Sequence, residues 1–316
     1  MTFIMKRLSL FLFILILIPA AGFAQQLEQW TQYYLNEYAV NPSLAGGDKY
    51  FRANAMFRNQ WQGIVGAPRT YYMSIHGPVF GERMGLGGAV YSDVAGALSK
   101  NGLQLSYSYH LKLNQDLRLS FSLAGMFFQW AVNGSELDLD QPDDIAIGYG
   151  NMVAWIPDFG FGSRFYGKNF HIGFYIPQIA ASKIQLFSDY PLTESQLNRH
   201  YYFNAGYKHY FSSDIALEGN FLARYIRPVY VIEPQMRFIY KDMVWLGTSV
   251  RMPIQGEVMN AVGVMVGYEF ENNLVIGYSY DIDVNRIGAV SNGSHEIVLG
   301  IKFTRKNPKP PVSDDE

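Results

Sequence analysis

The sequence predicts an all-β fold: a transmembrane antiparallel β-barrel of about 14 strands, with short periplasmic turns and longer extracellular loops. The first observation behind this prediction is a repeated alternation of apolar and polar residues, which places every second side chain on one face of a strand. The alternation is clearest over 103–113 and 117–123, two runs separated by three polar residues. The second observation is that short and long connections alternate along the chain, as they do in a closed outer-membrane barrel.

The first 24 residues are predicted to be a secretory signal peptide. Lys6 and Arg7 precede an apolar run from Leu8 to Ile18, Pro19 ends that run, and small residues follow at 22–24. The alternative is a retained transmembrane anchor. A helix that spans the membrane takes about 20 apolar residues, and the apolar run here is shorter than that. The expected parts of the chain are a signal peptide (1–24), a lead or plug segment (25–49), the barrel (50–304) and a disordered periplasmic tail (305–316).

The composition favours a membrane barrel and gives no sign of a nucleic-acid partner. Hydrophobic residues make up 49% of the chain and aromatic residues 16%, whereas charged residues make up 16%. Aromatic side chains collect at both interfaces of a membrane barrel, and outer-membrane lipid is the expected partner of its outer face. The net charge of −2 provides no attraction for nucleic acid. The absence of cysteine excludes disulfides and thiolate metal sites.

Fourteen runs fit strands that cross the membrane. In the last run, Ile297 and Leu299 alternate with Glu296. A charge at the lipid midplane costs about 2–4 kcal/mol, so we expect the polar phase to face the lumen. Because that phase carries both signs of charge, we expect ion-pair networks inside the barrel, which argue against an open porin. The runs lie near 50–58, 70–77, 84–92, 102–113, 117–132, 153–166, 169–177, 200–211, 214–225, 229–240, 243–251, 258–270, 274–283 and 295–304.

The connections predict which end of the barrel faces outwards. The even-numbered connections are short and contain Gly, Asn, Asp and Ser, which suit tight turns. Several odd-numbered connections are long, and they are expected to be extracellular. Two features depart from the pattern. The ninth connection, 226–228, is short, and Pro234 lies inside the tenth strand, where we expect a bulge because proline cannot donate to the ladder.

A secreted β-sandwich is the rival fold, because it also has short alternating strands. Fourteen strands exceed one sandwich, and aromatic residues gather near the strand ends. We expect these aromatic residues to form the girdles at the two membrane interfaces. They are Tyr71-Tyr72, Phe127-Phe128, Trp130 and Tyr201-Tyr202.

Three segments are more specific than the general barrel pattern. The first, 32–46, contains Asn41-Pro42 and ends in Ala45-Gly46; the second is 58–70; the third, 85–96, opens with a Gly-x-Gly pair. Together they resemble the PorP/SprF family of type IX secretion system membrane proteins. The positions that carry the resemblance and form the candidate site are Asn41, Pro42, Gly46, Arg58, Gln60, Trp61, Gly63, Gly66, Pro68, Thr70, Asp93 and Gly96.

The resemblance implies a protein of the outer membrane of a Gram-negative bacterium of the Bacteroidota type. Members of the family act with type IX secretion components in exporting large proteins such as gliding adhesins, or in anchoring them at the surface. The implied partners are therefore secretion components and a secreted surface protein as cargo. The family is not known for enzymes, and the resemblance implies no cofactor.

The first two segments suit non-enzymatic roles, and each leaves alternatives open. The segment 25–49 is too short and irregular for a domain; it lies in the lumen as a plug, rests against the periplasmic rim, or is a flexible lead-in. Gly63, Gly66 and Pro68 around Trp61 indicate a fixed extracellular loop. That loop either holds the first hairpin in place or contacts a partner directly.

The sequence offers no specific catalytic or metal site, so we predict a non-enzymatic protein without a cofactor. The six histidines lack the spacing of a zinc protease. Ser163 and His171 could meet across neighbouring strands, which is the basis for a hydrolase hypothesis. Asp138, Asp140 and 143–144 form an acidic loop, for which a weak Ca²⁺ site is the alternative to plain solvation. A channel for a small or hydrophobic solute is the main alternative function.

Overall fold

The computed structural model describes residues 28–79, 81, 83–136, 151–184, 195–254 and 259–304. Within them, 14 strands close into one antiparallel barrel, which confirms the predicted fold class. The strands are β1 (Phe51–Asn59), β2 (Arg69–Pro78), β3 (Met84–Ala95), β4 (Leu98–Lys112), β5 (Arg118–Asn133), β6 (Asn151–Tyr166), β7 (Phe170–Ile176), β8 (Lys183–Ile184), β9 (Ser195–Gln196), β10 (His200–Tyr210), β11 (Ile215–Ile226), β12 (Val229–Tyr240), β13 (Val244–Pro253), β14 (Ala261–Glu269), β15 (Leu274–Asp283) and β16 (Ser294–Phe303).

Each barrel strand pairs with its neighbours in the chain, and the first strand closes on the last. All nine residues of β1 pair with β16, from Phe51 opposite Phe303 to Asn59 opposite His295. β7 pairs directly with β10 because β8 and β9 form a separate two-stranded sheet in the connection between them. The wall therefore has no free edge, as a β-structure in lipid requires.

The two faces of the wall follow the alternation in the sequence. In β2, Tyr71, Met73 and Ile75 are 50%, 60% and 49% exposed on the outside, whereas Tyr72 and Ser74 are buried inside. The same outward apolar phase runs around the barrel and forms its lipid-facing surface. Representative members on other strands are Leu105, Leu123, Phe159, Leu246 and Leu299.

Four of the seven aromatic residues assigned to the interface girdles point into the lumen instead. Tyr72, Phe128 and Tyr202 are buried there, and Trp130 lies on the same inward phase of β5 beside Lys100. The girdle prediction is wrong for these four, because adjacent residues on a strand must face opposite sides. Their outward neighbours remain at the lipid face.

The bulge predicted at Pro234 is also wrong. Ile232 pairs with Met252 and Gln235 pairs with Ser249, so the register between β12 and β13 is the same on both sides of the proline. A bulge would insert a residue and change that register. The two intervening residues of β12 are unpaired towards β13, and this interruption accommodates the missing N–H of the proline.

The two rims of the barrel differ in their connections. One rim, here called the short-turn rim, carries the tight turns after β2, β4, β6, β10, β12 and β14. The other, the long-loop rim, carries 60–68, 134–150, 177–199 and 284–293, and it faces outwards by the usual asymmetry of these barrels. The turn after β3 is also on this rim but is shorter than predicted, because β3 and β4 extend until Gly96-Ala97 alone separates them.

Several predictions concern residues outside the described ranges. These are the signal peptide (1–24), the tail (305–316) and the acidic cluster of the long loop after β5 (138–144).

Candidate functional site

Residues 28–49, here called the lumen segment, run through the inside of the barrel. Two short 3-10 turns, Glu37–Ala39 and Pro42–Leu44, interrupt an otherwise irregular course. The segment packs against inward side chains of the wall, among them Met56, Met265 and Val298. Its buried apolar residues are Trp30, Tyr33, Tyr34, Leu35, Tyr38, Val40 and Ala45.

Asn41 and Pro42 start the second 3-10 turn and attach it to the wall. The Asn41 Oδ1 atom accepts hydrogen bonds from Ser43 N at 3.1 Å and Ser43 Oγ at 2.7 Å. Its Nδ2 atom donates to the carbonyl oxygen of Ser163 at 3.1 Å. Pro42 stands at the first position of the turn, where its missing N–H has no partner to lose.

The end of the lumen segment near the short-turn rim is held through its backbone carbonyls. Ser120 Oγ donates to the Ser43 carbonyl at 2.7 Å. The Ala45 carbonyl lies 2.7 Å from His110 Nε2 and also accepts from Ser108 Oγ. Neutral hydrogen bonds of this kind contribute about 0.5–1.5 kcal/mol each, so this anchor is a sum of modest terms.

The Gly-x-Gly pair of β3 makes room for the same part of the lumen segment. A Cβ on Gly85 would lie 1.9 Å from the carbonyl oxygen of Ala45, and a Cβ on Gly87 would lie 2.4 Å from the ring of Tyr38. Gly46, with φ of +81°, adopts the left-handed conformation directly above Gly85. The third motif segment, 85–96, therefore allows the lumen segment to pack closely against β3.

Charged pairs line the lumen midway along the barrel and near the short-turn rim. The mixed charge on the inward face of the strands predicts such pairs. Arg164 pairs with Glu37 of the lumen segment, and His171 Nε2 lies 3.5 Å from the same carboxylate. Arg237 pairs with Glu218 at 2.8 Å, and its guanidinium lies 4.1 Å from the ring centre of Tyr34.

A larger set of buried charges lies near the long-loop rim. Arg58 contacts Asp281 at 2.7 Å and Glu296 at 3.1 Å, and Arg251 contacts Glu233 at 3.0 Å and Asp281 at 3.3 Å. The Arg58 side chain is 1% exposed and that of Glu296 is fully buried. We call this set the outer ionic network; its members are Arg58, Arg224, Arg251, Glu233, Asp281 and Glu296.

The lumen segment enters the outer ionic network through Thr31. The Thr31 N–H donates to Glu296 at 2.8 Å, and its hydroxyl donates to Asp281 at 2.7 Å. The same hydroxyl oxygen accepts from Arg58 at 3.0 Å and from Arg251 at 3.1 Å. Removing one member of a buried ion pair costs about 3–5 kcal/mol, so this anchor depends strongly on each charge.

Three motif positions that are distant in the sequence are direct neighbours around the wall. Arg58 is opposite Thr70 across β1 and β2, and Thr70 is opposite Asp93 across β2 and β3. The Thr70 hydroxyl donates to Asp93 at 2.5 Å. The row continues to Lys100 of β4, whose Nζ lies 3.1 Å from Glu28 at the start of the lumen segment.

The loop 60–68 is fixed to its neighbours on the long-loop rim. Gln60 N donates to the Pro68 carbonyl at 2.9 Å and closes the loop. Gln62 exchanges two backbone hydrogen bonds with 292–293, at 2.8 and 2.7 Å. The motif residues Gln60 and Pro68 therefore hold the loop in one conformation against the β15–β16 connection.

The remaining motif residues of the rim secure the same loop. Trp61 N donates to Ser294 Oγ at 3.1 Å. Gly63 and Gly66 have φ of +96° and +73°, values that disfavour other residues. Gly96 N donates to the Gly66 carbonyl at 2.8 Å, so the loop joins the β3–β4 turn as well.

The connection between β7 and β10 covers part of the outer mouth. Asp158 of β6 accepts hydrogen bonds from Ala180 N at 3.0 Å and Ser182 N at 3.2 Å. Ile184 and Leu197 are buried in a small apolar cluster with side chains of β5 and β6. The described part of this connection thus turns back over the lumen.

Two cavities inside the barrel lie near the short-turn rim. A cavity of about 410 Å³ lies between Glu37, Asp48 and Lys168, and a second of about 250 Å³ lies beside Tyr34 and Lys302. The cavity around Glu28 and Trp30 near the outer mouth holds about 40 Å³. The two larger of these three cavities therefore lie beside the later part of the segment.

Ser163 and His171, the basis of the hydrolase hypothesis, lie on opposite faces of the wall. Ser163 pairs with Phe174 on the outward phase, whereas His171 points into the lumen, so the Ser–His pair considered for a hydrolase does not form. Across the described ranges, no group of three or more His, Cys, Asp or Glu residues could hold a metal ion. In that same part of the chain, no helix has the length and apolar character needed to cross a membrane.

Thr31 and Glu28 are the main residues of the site that sequence reasoning missed. Both lie just before the first motif segment, and neither belongs to a recognisable pattern. Their partners are on β1, β4, β12, β13, β15 and β16, so nothing local in the sequence connects them.

Comparison with solved structures finds other outer-membrane barrels at low sequence identity. The CymD monoaromatic hydrocarbon channel matches with a TM-score of 0.50 and 12% identity, over 91% of this chain and 96% of that one. A Pseudomonas aeruginosa FadL homologue matches with a TM-score of 0.46 and 10% identity, over 83% and 92%. Acinetobacter baumannii Omp33 matches with a TM-score of 0.45 and 8% identity, over 82% and 100%.

Sequence comparison is more specific. Comparison with the curated proteins gives no match. The family model described as type IX secretion system membrane protein PorP/SprF matches residues 22–301, which is most of the chain. This match confirms the resemblance based on the three motif segments and agrees with the outer-membrane barrel seen in the structure. The chain belongs to the PorP/SprF family of type IX secretion system membrane proteins.

Proposed function

We propose that this protein is a non-enzymatic scaffold of type IX secretion that supports the export or surface anchoring of large secreted proteins such as gliding adhesins. The observation that carries the proposal is the lumen segment: its outer half is buried and bound by the outer ionic network. A lumen occupied in this way favours a role for the rims over conduction through the barrel. Family membership supplies the secretion context.

In this proposal the motif residues act as structural supports for contact with partners. Asn41, Pro42 and Gly46 seat the lumen segment, and the rim residues hold the loop 60–68 in place. Val65 at the tip of that loop is 100% exposed, so the loop presents side chains outwards from a fixed backbone. Secretion components and the surface protein are the proposed partners.

The proposal is tested by deleting the gene and following surface proteins exported by the type IX system. We expect one specific large surface protein to be missing from the surface or released from it, while the other cargo proteins appear normally. Export and display of all type IX cargo at normal levels in the deletion strain would overturn the proposal.

A matched pair of point variants locates the function on a rim. Val65→Asp changes an exposed tip on the long-loop rim, and Gln115→Asp changes an exposed turn on the short-turn rim. Both variants should fold, because neither side chain is buried. Loss of cargo display with V65D and not with Q115D would assign the contact to the outer rim; the reverse would assign it to the periplasmic rim.

Conduction of a small or hydrophobic solute is the second candidate, favoured by the cavity of about 410 Å³ that remains near the short-turn rim. It is tested by single-channel recording of the purified barrel in a planar bilayer. The scaffold proposal expects no steady conductance from the intact protein, and solute flux sustained by the intact barrel alone would favour transport.

A further inference from the structure

The lumen segment has a definite direction, which its contacts reveal. Its first described residue, Glu28, pairs with Lys100, which is the third residue of β4 counted from the long-loop rim. Three residues later, Thr31 meets Asp281 and Glu296, each of which lies within three residues of the same end of its strand. The segment therefore begins near the outer mouth.

The later residues of the segment contact the opposite end of the wall. Glu37 pairs with Arg164, which is the third residue of β6 counted from the short-turn rim. Ser43 accepts from Ser120, the third residue of β5 at that rim. The chain then enters β1 at Phe51 from the same side. The segment thus runs the length of the lumen from the outer mouth to the short-turn rim.

Burial along the segment agrees with this direction. Trp30 to Asn36 are all buried, whereas Glu28 and Gln29 are partly exposed. Glu28 lines a small cavity together with Pro177 and Gln178, which directly follow the outer end of β7. In the described part of the chain, the start of the segment is therefore less completely covered than the residues that follow, on the side of the long loops.

We infer that the lumen segment enters the barrel at the outer mouth, so that its first described residues, Glu28 and Gln29, are accessible from the cell surface. The usual expectation, based on the first strand starting at the periplasmic rim, places the residues that precede this strand in the periplasm. The lumen segment reverses it by returning across the barrel. The inference follows from the direction of the segment and is independent of the proposed export role.

The chain is well suited to a topology test because it contains no cysteine. Gln29→Cys introduces one reactive thiol at a partly exposed position near the start of the lumen segment. Val65→Cys is the control for the long-loop rim, and Gln115→Cys is the control for the short-turn rim, since both native side chains are exposed. Each variant is treated in intact cells, and after permeabilisation of the outer membrane, with a maleimide that does not cross membranes.

We expect Q29C to be labelled in intact cells, although more slowly than V65C, because Gln29 is partly exposed near the outer mouth. Q115C should be labelled after permeabilisation alone. Labelling of Q29C after permeabilisation alone, or in neither condition despite labelling of the denatured protein, would overturn the inference. Cargo display is measured in the same strains, so a failure of the proposed function is distinguished from a failure of this topology.

Discussion

Different kinds of interaction hold the two ends of the lumen segment: buried charges at one end and neutral hydrogen bonds at the other. Near the long-loop rim, Thr31 lies among buried charges, and Arg58 contributes a cation from the first strand. Near the short-turn rim, the backbone carbonyls of Ser43 and Ala45 accept neutral hydrogen bonds, and the backbone of the segment packs against Gly85. The outer anchor should therefore depend on single residues, whereas the inner anchor should spread its stability over several small contacts.

The largest effect is expected from Arg58→Met. This change leaves two carboxylates buried with one fewer cation, so the free energy of unfolding should fall by about 3–5 kcal/mol. It is measured by urea titration of the protein in lipid vesicles, followed by tryptophan fluorescence. The control is Lys208→Met, which breaks a rim pair whose carboxylate is 55% exposed; it should cost at most about 1 kcal/mol. Equal losses in the two variants would show that burial of the outer charges is not decisive.

A smaller effect is expected from Gly85→Ala at the inner anchor. The new methyl group would meet the carbonyl oxygen of Ala45, so the segment or β3 must shift at a cost of about 1–3 kcal/mol. Gly125→Ala is the matched control, because no atom lies within 4 Å of a Cβ placed there. Unfolding midpoints of the two variants in the same vesicles make the comparison. A midpoint for G85A equal to that of G125A would mean that the close packing of segment on glycine contributes little.

Two hydroxyl deletions, one at each anchor, complete the comparison, and the second of them has the smallest expected effect. Thr31→Val removes hydrogen bonds to charged groups and should cost about 1.5–3 kcal/mol. Ser120→Ala removes a neutral bond to the Ser43 carbonyl and should cost about 0.5–1.5 kcal/mol. Both costs are obtained from the same urea titration. If S120A proved the more costly variant, the outer anchor would not be the stronger one.

The wall of the barrel was largely predictable from the sequence. Alternation located all 14 strands, and the ion pairs of Arg237 with Glu218 and of Arg251 with Glu233 follow from the mixed charge of the inward phase. These features depend on periodicity and on the cost of charge in lipid, both of which act locally.

The contents of the lumen were harder to predict. Alternation does not show what covers Tyr72 and Tyr202. Their position near strand ends suggests the interface girdles, but both side chains are buried in the lumen. The partners of Thr31 are up to 265 residues away, and such contacts leave no local pattern. The motif positions Arg58, Thr70 and Asp93 pointed to this region, but their arrangement as one row required the strand register.

The outer ionic network also lies across the line where the barrel closes. Arg58 belongs to the first strand, whereas Asp281 and Glu296 belong to the last two, and Thr31 precedes them all. During synthesis the lumen segment is made long before the carboxylates that will bind it, and contacts of such long sequence separation form late in folding. Sealing of the β1–β16 seam and seating of the segment should therefore be one cooperative step, in which the wall closes around a chain already inside it.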